Sequence, residues 1–393
     1  LIPTEDLAVY YAAIMTRIAI VGCGIGGATL AYELSRHSHL EIHLIDQGNP
    51  AQGSTQAALG VLMGIISHKV KGRNWRLRRD SIERYKTLIP ELEATLGRSI
   101  PYVQGLVSLC FDPERLPRWQ SLQTKRAEQG YPLEIWSPDQ LRQYCPQINA
   151  HTVAAAIYSP QDGQVHPQQL TLALVDAAQQ RGVTTHWQSP VLGMKTRSGY
   201  CSQLQLPEET LDIDCVIISA GLDSAELSQI GTEPLPMIPV LGQAIEFELD
   251  QALVNDDFQP EVIGHDFHIV PLGEARYWVG ATVEFPPGGE AVELPLGENV
   301  ELVPEAERFE QMQQLAISYC PAVAQARVLR QWSGLRPRPQ GQGAPVIKPL
   351  VGYENVILAT GHYRNGVLLA PGTAITVADL LGLSNNTDES EGL

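Results

Sequence analysis

Arg17-Ile-Ala-Ile-Val-Gly22-Cys-Gly24-Ile-Gly-Gly27, continued by Ala28 to Ser35 and then Leu40-Glu-Ile-His-Leu-Ile-Asp46, is the stretch that decides the fold. Arg17–Val21 is short and continuously apolar, as a strand buried in a parallel sheet must be. Glycines 22, 24 and 27 fit GxGxxG, and Leu30, Ala31 and Leu34 follow at helix-compatible spacing. The glycines permit a tight turn, close approach of a pyrophosphate and packing of helix on strand, while the helix N-terminus supplies amide donors. Asp46 stands 24 residues after Gly22, near the spacing of an acid that accepts hydrogen bonds from a ribose. A lone GxGxxG is weak, but here strand, motif, helix, strand and acid occur in order. They predict a dinucleotide site with Gly22, Gly24, Ile25, Gly27 and Asp46. Cys23, at a variable position of the motif, reads as a small filler.

The bulk numbers agree with an ordinary globular chain. Its 393 residues, 44% hydrophobic and 18% charged, suffice for two domains or one large core with an inserted layer. A net charge of −17 argues against a nucleic-acid surface. A small anionic substrate would need a local positive site against this field, which singles out particular arginines. The six cysteines form no CxxC pair, a pattern of reduced thiols in a cytoplasmic protein and not of a disulfide frame or metal site. No apolar run reaches the roughly 18 residues of a transmembrane segment. Leu1 to Ile14 lacks the basic region of a secretion signal. Met15 reads as a natural start, with 1–14 as an extension, either native or an expression remnant.

Directly after Asp46 comes Gly48-Asn-Pro-Ala-Gln-Gly53-Ser-Thr-Gln-Ala-Ala-Leu-Gly60-Val-Leu62. Its small and hydroxyl-bearing residues can donate to a phosphate and approach a flat ring closely. Taken alone, it reads equally well as a flexible loop feeding a helix. The segment resembles the loop after the ribose-binding acid in the D-amino-acid oxidase/glycine oxidase family of FAD enzymes. Other stretches extend the resemblance: Asp162-Gly-Gln-Val-His-Pro167-Gln-Gln-Leu with its alanine-rich helix, Val191, and Cys215-Val-Ile-Ile-Ser-Ala-Gly221. The longest and most specific are Trp332-Ser-Gly-Leu-Arg-Pro337 and Gly361-His-Tyr-Arg-Asn-Gly-Val-Leu-Leu-Ala-Pro371, similar to paired signatures of glycine oxidases. Residues 1–14 and the tail after Gly382 are outside it.

The resemblance implies an α/β FAD-binding (glutathione-reductase-like Rossmann) domain and an α+β substrate domain with an antiparallel sheet. The FAD domain is expected from 15–97, 150–236 and 328–383, and the substrate domain from 98–149 and 237–327. The polar, acidic stretch 384–393 reads as a disordered tail. Strand-like runs at 17–21, 41–46, 215–220 and 355–360 would build one parallel sheet. Runs at 244–249, 267–270 and 277–283 alternate as antiparallel strands, Glu305–Ala316 reads as an amphipathic helix, and helices are expected around Glu114–Gly130 and Pro138–Tyr144.

By the same resemblance FAD would also be held by Ser54, Thr55, Ala57, Ala58, Gly60, Val191, Ala220, Gly221, Arg336, His362, Arg364, Asn365, Gly366, Val367 and Leu368. Val191 sits where the family uses a strand residue against the adenine. Flavin oxidation of an amine asks the protein for a carboxylate clamp and for positive charge near the reduced ring. An arginine fork suits the clamp. Arg336 occupies the position at which glycine oxidases bind the substrate carboxylate, and Arg364 lies beside the active site. Both also read as structural arginines, as Arg338 does. Gly366 to Leu368 would offer a helix N-terminus near the flavin's pyrimidine edge.

Three positions depart from the family. His268 replaces a tyrosine that assists the arginine; it could donate the same hydrogen bond and titrate near neutral pH, or be a satisfied strand histidine. Val283 replaces a pocket methionine, and Lys348 a glycine. No cysteine follows Cys320, so FAD is expected to be non-covalent. The expected activity is oxidation of glycine or another small amino acid or amine to the imine. Oxygen as acceptor would give hydrogen peroxide, and the setting would be thiamine (thiazole) synthesis. The alternatives are a same-fold dehydrogenase feeding a quinone or carrier, and a flavoprotein with an assembly role. Oligomeric state stays open, a homo-oligomer included.

Overall fold

The computed structural model describes residues 16–253, 258–292 and 302–383. The expected N-terminal extension and the acidic tail both lie outside the described residues.

In chain order the first elements are β1 (Thr16–Val21), α1 (Ile25–Leu34), β2 (Leu40–Ile45), α2 (Ser54–Ala57), β3 (Val61–Leu62), α3 (Arg73–Leu96), β4 (Tyr102–Cys110), α4 (Leu116–Glu128), β5 (Glu134–Trp136) and α5 (Pro138–Tyr144). Next come β6 (Ala155–Val165), α6 (Pro167–Gln180), β7 (Thr184–His186), β8 (Gly193–Arg197), β9 (Tyr200–Gln205), β10 (Thr210–Asp212), β11 (Cys215–Ile218), α7 (Ser224–Leu227) and β12 (Met237–Glu248). The chain closes with β13 (Glu261–Gly264), β14 (Phe267–Gly273), β15 (Arg276–Gly280), α8 (Ala306–Tyr319), β16 (Arg327–Pro339), β17 (Val346–Pro349), β18 (Val356–Thr360) and α9 (Gly366–Leu380).

Two sheets carry the architecture. Six strands run in the order β17-β18-β11-β1-β2-β7, parallel throughout except for β17. The four strands expected from apolar runs form its centre, and the short edges β7 and β17 complete it. Central strands are buried on both faces, which is why β1, β11 and β18 read as unbroken apolar runs. α1, α3 and α9 cover one face, and Gly372 lets α9 approach to where a Cβ would stand 2.7 Å from the Leu77 carbonyl oxygen.

The second sheet has nine strands, in the path β16-β12-β15-β14-β13-β4-β6-β3 with β5 on β6. It is antiparallel apart from the parallel pair β13–β4, so the expected antiparallel sheet is in fact mixed. Its strands cross the ranges drawn from sequence, since β3, β6 and nearly all of β16 fall within those expected for the FAD domain. β15 stops at Gly280, before the expected Val283; the chain beyond it stays beside β12, where the Gln243 amide donates to Thr282 Oγ1 (2.8 Å), the Thr282 amide donates to the Gln243 carbonyl (3.2 Å) and Glu284 bridges Leu241. The hairpin β13–β14 turns at His265 and Asp266, both with positive φ (51° and 67°), the two-residue geometry whose twist matches that of its strands. Among the described residues no helix is long and apolar enough to cross a membrane.

Candidate active site

The glycine motif folds as its spacing requires. At Gly22 (φ 104°) a Cβ would stand 2.5 Å from the Ser219 carbonyl oxygen, so the turn seats directly on the chain after β11. At Gly27 a Cβ would come within 1.8 Å of the Gly22 carbonyl oxygen, which any side chain would push off the strand. No side chain caps α1 at Gly24, and the Ile25 amide donates to Thr55 Oγ1 (3.0 Å). Asp46 accepts from the Cys23 amide (2.6 Å) and the Gly48 amide (2.8 Å). Those bonds hold its carboxylate at the strand end and leave lone pairs for a ribose. These residues fit the pyrophosphate and ribose of a dinucleotide: helix-start amides beyond the Ile25 one that Thr55 holds, a turn with no room for side chains, and an anchored acid. Cys23 is buried and its thiol is pushed up, first by burial and then by Asp46. It is the filler that the sequence suggested.

The loop after Asp46 joins the two sheets. Ser54 Oγ donates to the Leu335 carbonyl (2.6 Å), and Trp332 Nε1 donates to the Ala57 carbonyl (3.1 Å). At Gly334 a Cβ would stand 2.1 Å from that of Ala57. Leu59 lies against Gly280 and Ala244. Thus Ser54 to Gly60 packs on the face of the nine-stranded sheet that carries Trp332, Gly334 and Arg336.

Arg336 belongs to that face, opposite Val240 of β12. Its guanidinium folds back over Gly242, where a Cβ would stand 2.2 Å from Nη2. Nη1 donates to the Leu241 carbonyl (3.1 Å), the one hydrogen bond of this side chain among the described residues. Burial, then the neighbouring Arg364, lowers its pKa to about 10. Arg338, two residues on, differs: it pairs with Glu290 and lies over the rings of Phe285 and Tyr363. Among the described residues Arg338 is in a salt bridge, whereas Arg336 feels Glu284 without pairing with it.

After β18 the chain turns through Gly361 (φ 65°) and Tyr363 (φ 54°) into α9. Asn365 gives α9 no side-chain cap, so the amides of Gly366 to Leu368 begin the helix with no side-chain acceptor. Arg364 is exposed beside Arg336. His362 is buried, with Nε2 against Thr373 Oγ1 (2.8 Å), and burial followed by Arg73 lowers its pKa to about 4. Its ring is turned into the protein, where it holds the loop to α9.

Other expected residues are scattered more widely. Ala220 and Gly221 follow β11 beside the glycine turn. Val191 is not on a strand: β7 ends at His186, and Val191 lies after Pro190 in a half-buried loop packed on the cluster of Val21 and Ile45. Val283 is half-buried in the loop after β15, and Lys348 is half-buried on the edge strand β17. His268 lies opposite Gly280 on the Arg336 face, its Nδ1 joined to Glu261.

Sequence reading missed three groups. Arg78 of α3 donates to Asn365 Oδ1 (3.4 Å) and keeps a buried Nε without a partner. Asp162 of β6 accepts the amides of Gly64, Ile65 and Ile66 (2.7 Å each), fixing the chain after β3. Glu261 is wholly buried. For Glu261 the signal was available in the hairpin register, had the turn at His265-Asp266 been recognised.

Comparison with known proteins agrees with this geometry. The family model described as DAO, FAD dependent oxidoreductase, matches residues 17–380. The glycine oxidase of Geobacillus kaustophilus is 28% identical over 366 residues, covering 93% of this chain and 92% of that protein. The bifunctional protein ThiO/ThiG of Synechocystis is 28% identical over 376 residues, and this chain spans about half its length (51%). The crystal structure of the Geobacillus kaustophilus glycine oxidase superposes with a TM-score of 0.81 at 26% identity, over 95% of this chain and 96% of that one. The protein belongs to the DAO family of FAD-dependent oxidoreductases.

Proposed function

We propose that the protein oxidises the amine of glycine or another small amino acid to the imine, with non-covalent FAD and with oxygen as acceptor, giving hydrogen peroxide. Arg336 carries this reading. It is a half-buried cation on the face that carries the Ser54–Gly60 loop, in no salt bridge with a carboxylate among the described residues although Glu284 acts on it from nearby, in a chain of net charge −17. Such a group awaits an anion, and a guanidinium fork suits a carboxylate. The glycine oxidase relatives supply the substrate class, and the relative named ThiO/ThiG supports a role in thiamine (thiazole) synthesis.

When bound, FAD supplies the hydride acceptor for the Cα–H bond. The glycine motif, Asp46 and the loop Ser54–Gly60 would hold it. Arg336 binds the substrate carboxylate and sets the angle of Cα, and Arg364 adds positive charge beside it. His268 stands on the same face as the second polar group of the substrate site. The α9 N-terminus offers amides to negative charge that develops in the reaction.

The test is anaerobic mixing of the purified yellow protein with a panel of small amino acids and amines lacking a carboxylate, followed by admission of oxygen. Loss of visible flavin absorbance with amino acids alone, then peroxide, is expected. Bleaching by the carboxylate-free amines as readily as by amino acids would remove the clamp and the substrate class together.

A further inference from the structure

Glu261 has no solvent exposure, and one of its oxygens, Oε1, meets Nδ1 of His268. The other, Oε2, is buried without a hydrogen-bond partner. An isolated carboxylate in such a place is costly unless a cation or a shared proton answers it. Among the described residues His268 is the one answering group: its side chain is 11% exposed, and with Nδ1 engaged, Nε2 is the ring nitrogen left over.

The register places the pair. His268 stands opposite Gly280, Gly280 opposite Ala244, and Ala244 opposite Trp332, in a row across the Arg336 face. Gly242, under the Arg336 guanidinium, is two strands and two residues from His268. Strand spacing and rise put those Cα atoms about 12 Å apart. The imidazole and the guanidinium close much of that gap, and glycines 242 and 280 put no side chain into it. Leu59 lies against Gly280 as the apolar neighbour.

We infer that Glu261 and His268 form a dyad in which the carboxylate accepts the Nδ1 proton and Nε2 serves as the base that deprotonates the substrate's ammonium group. The inference rests on the amine-oxidising reading, which requires a neutral amine. In the step an N–H bond of the ammonium breaks and an Nε2–H bond forms. The substrate nitrogen keeps the electron pair, and the positive charge moves to the imidazole, where Glu261 neutralises it. Glu261 is a positioning residue and His268 the catalytic one. Among the described residues the other titratable group that feels Glu261 is Tyr319, packed under Gly264, with its hydroxyl donating to the Phe267 carbonyl (3.1 Å). Burial raises its pKa first of all, so the phenol keeps its proton. Burial also raises that of Glu261, against the pull of His268.

The test uses FAD-loaded protein with ring-15N histidine, comparing parent, Glu261→Gln and Glu261→Leu. The neutral His268 of the parent should carry its proton on Nδ1. Gln keeps an acceptor and should preserve that tautomer, whereas Leu should move the proton to Nε2. At neutral pH kcat/KM should fall about 10²-fold or more in Glu261→Leu and less in Glu261→Gln. The deficit should close as pH rises above the substrate amine's own pKa, where no base is needed. An unchanged tautomer in Glu261→Leu, or the same fold-loss at every pH, overturns the dyad and leaves a structural pair. If the parent turns over no amine, the oxidase reading has failed and the base role with it. An active parent with parallel pH profiles overturns the dyad alone.

Discussion

The parallel sheet and the nine-stranded sheet deliver groups to the same seam, but with different material. The parallel sheet offers main chain: the turn at Gly22 to Gly27, the start of α1, where Thr55 holds the Ile25 amide, and the start of α9, which no side chain caps. The nine-stranded sheet offers side chains at positions that register alone selects: Arg336 over Gly242, and His268 on Glu261. A main-chain site tolerates drift in most of its residues provided the glycines remain. A side-chain site can be retuned by one substitution, and the family departures His268 and Val283 both fall on or just after strands of the nine-stranded sheet. Cofactor retention and substrate turnover should therefore come apart under mutation.

The largest expected effect is on the cofactor side. Asp46→Ala removes about two charge-assisted hydrogen bonds to a ribose, roughly 1.5–3 kcal/mol each. It also frees the Cys23 and Gly48 amides that the carboxylate now holds. FAD per polypeptide after gel filtration should fall sharply while the far-ultraviolet circular dichroism stays that of the parent. Full retention would move the ribose elsewhere.

Arg336→Ala is the counterpart on the other sheet. Loss of a buried charge-assisted fork should lower kcat/KM for amino acids by roughly 2–5 kcal/mol, about thirty- to several-thousand-fold, with FAD content unchanged. Arg336→Lys should recover only part, because an ammonium cannot present two parallel donors. Normal turnover by the alanine variant would end the clamp assignment.

Gly242→Ala sharpens the comparison with a residue that touches no ligand. Its Cβ would stand 2.2 Å from Arg336 Nη2, the far end of a flexible side chain. The guanidinium should move and the fold should not, so Tm and FAD content hold while kcat/KM falls about 10²-fold. Equal loss of Tm would mean that Gly242 serves packing and not the position of Arg336.

The same contrast explains what could be read in advance. Strand–glycine–helix–strand–acid is local and sequential, so the glycine turn and the place of Asp46 needed only spacing and order. The central strands were legible because burial on both faces leaves unbroken apolar runs. The edges β7 (Thr-Thr-His) and β17 are three and four residues long and present no such run. β4 was missed because Tyr102–Cys110 is interrupted by Gly105, whose φ of 100° marks the irregular register there. Glu261 was invisible for a subtler reason. Its partner is seven residues on, across a turn whose His-Asp pair lacks the glycine that usually announces such a hairpin. Residue type alone does not separate Arg336 from Arg338; the Trp332–Pro337 resemblance singled out Arg336, and the pairing of Arg338 with the distant Glu290 was not legible in the sequence.

The smallest expected effect lies in pH, and it sets the two sheets against each other. His362, on the loop after β18, has its pKa lowered from 6.5 to about 4, with burial the larger cause. Its neutral form is favoured in the folded state, so its stabilisation is complete above about 6.5 and is lost as pH falls towards 4. Asp162, on β6, goes the other way: burial raises its pKa from 3.8 to about 6, outweighing three amide bonds. The folded state there binds the extra proton, so stability rises as pH falls from 6 towards 4. At about 1.36 kcal/mol per unit, each contribution is about 3 kcal/mol, and in the parent the two oppose each other. Removing either one should expose the other. Denaturant unfolding of His362→Gln between pH 7 and 4 should show stability rising relative to the parent as pH falls, because only the Asp162 contribution remains. Asp162→Asn should show the reverse slope, with stability relative to the parent falling over the same window. Parallel curves for parent and both variants would mean that neither group titrates differently in the folded and unfolded chains.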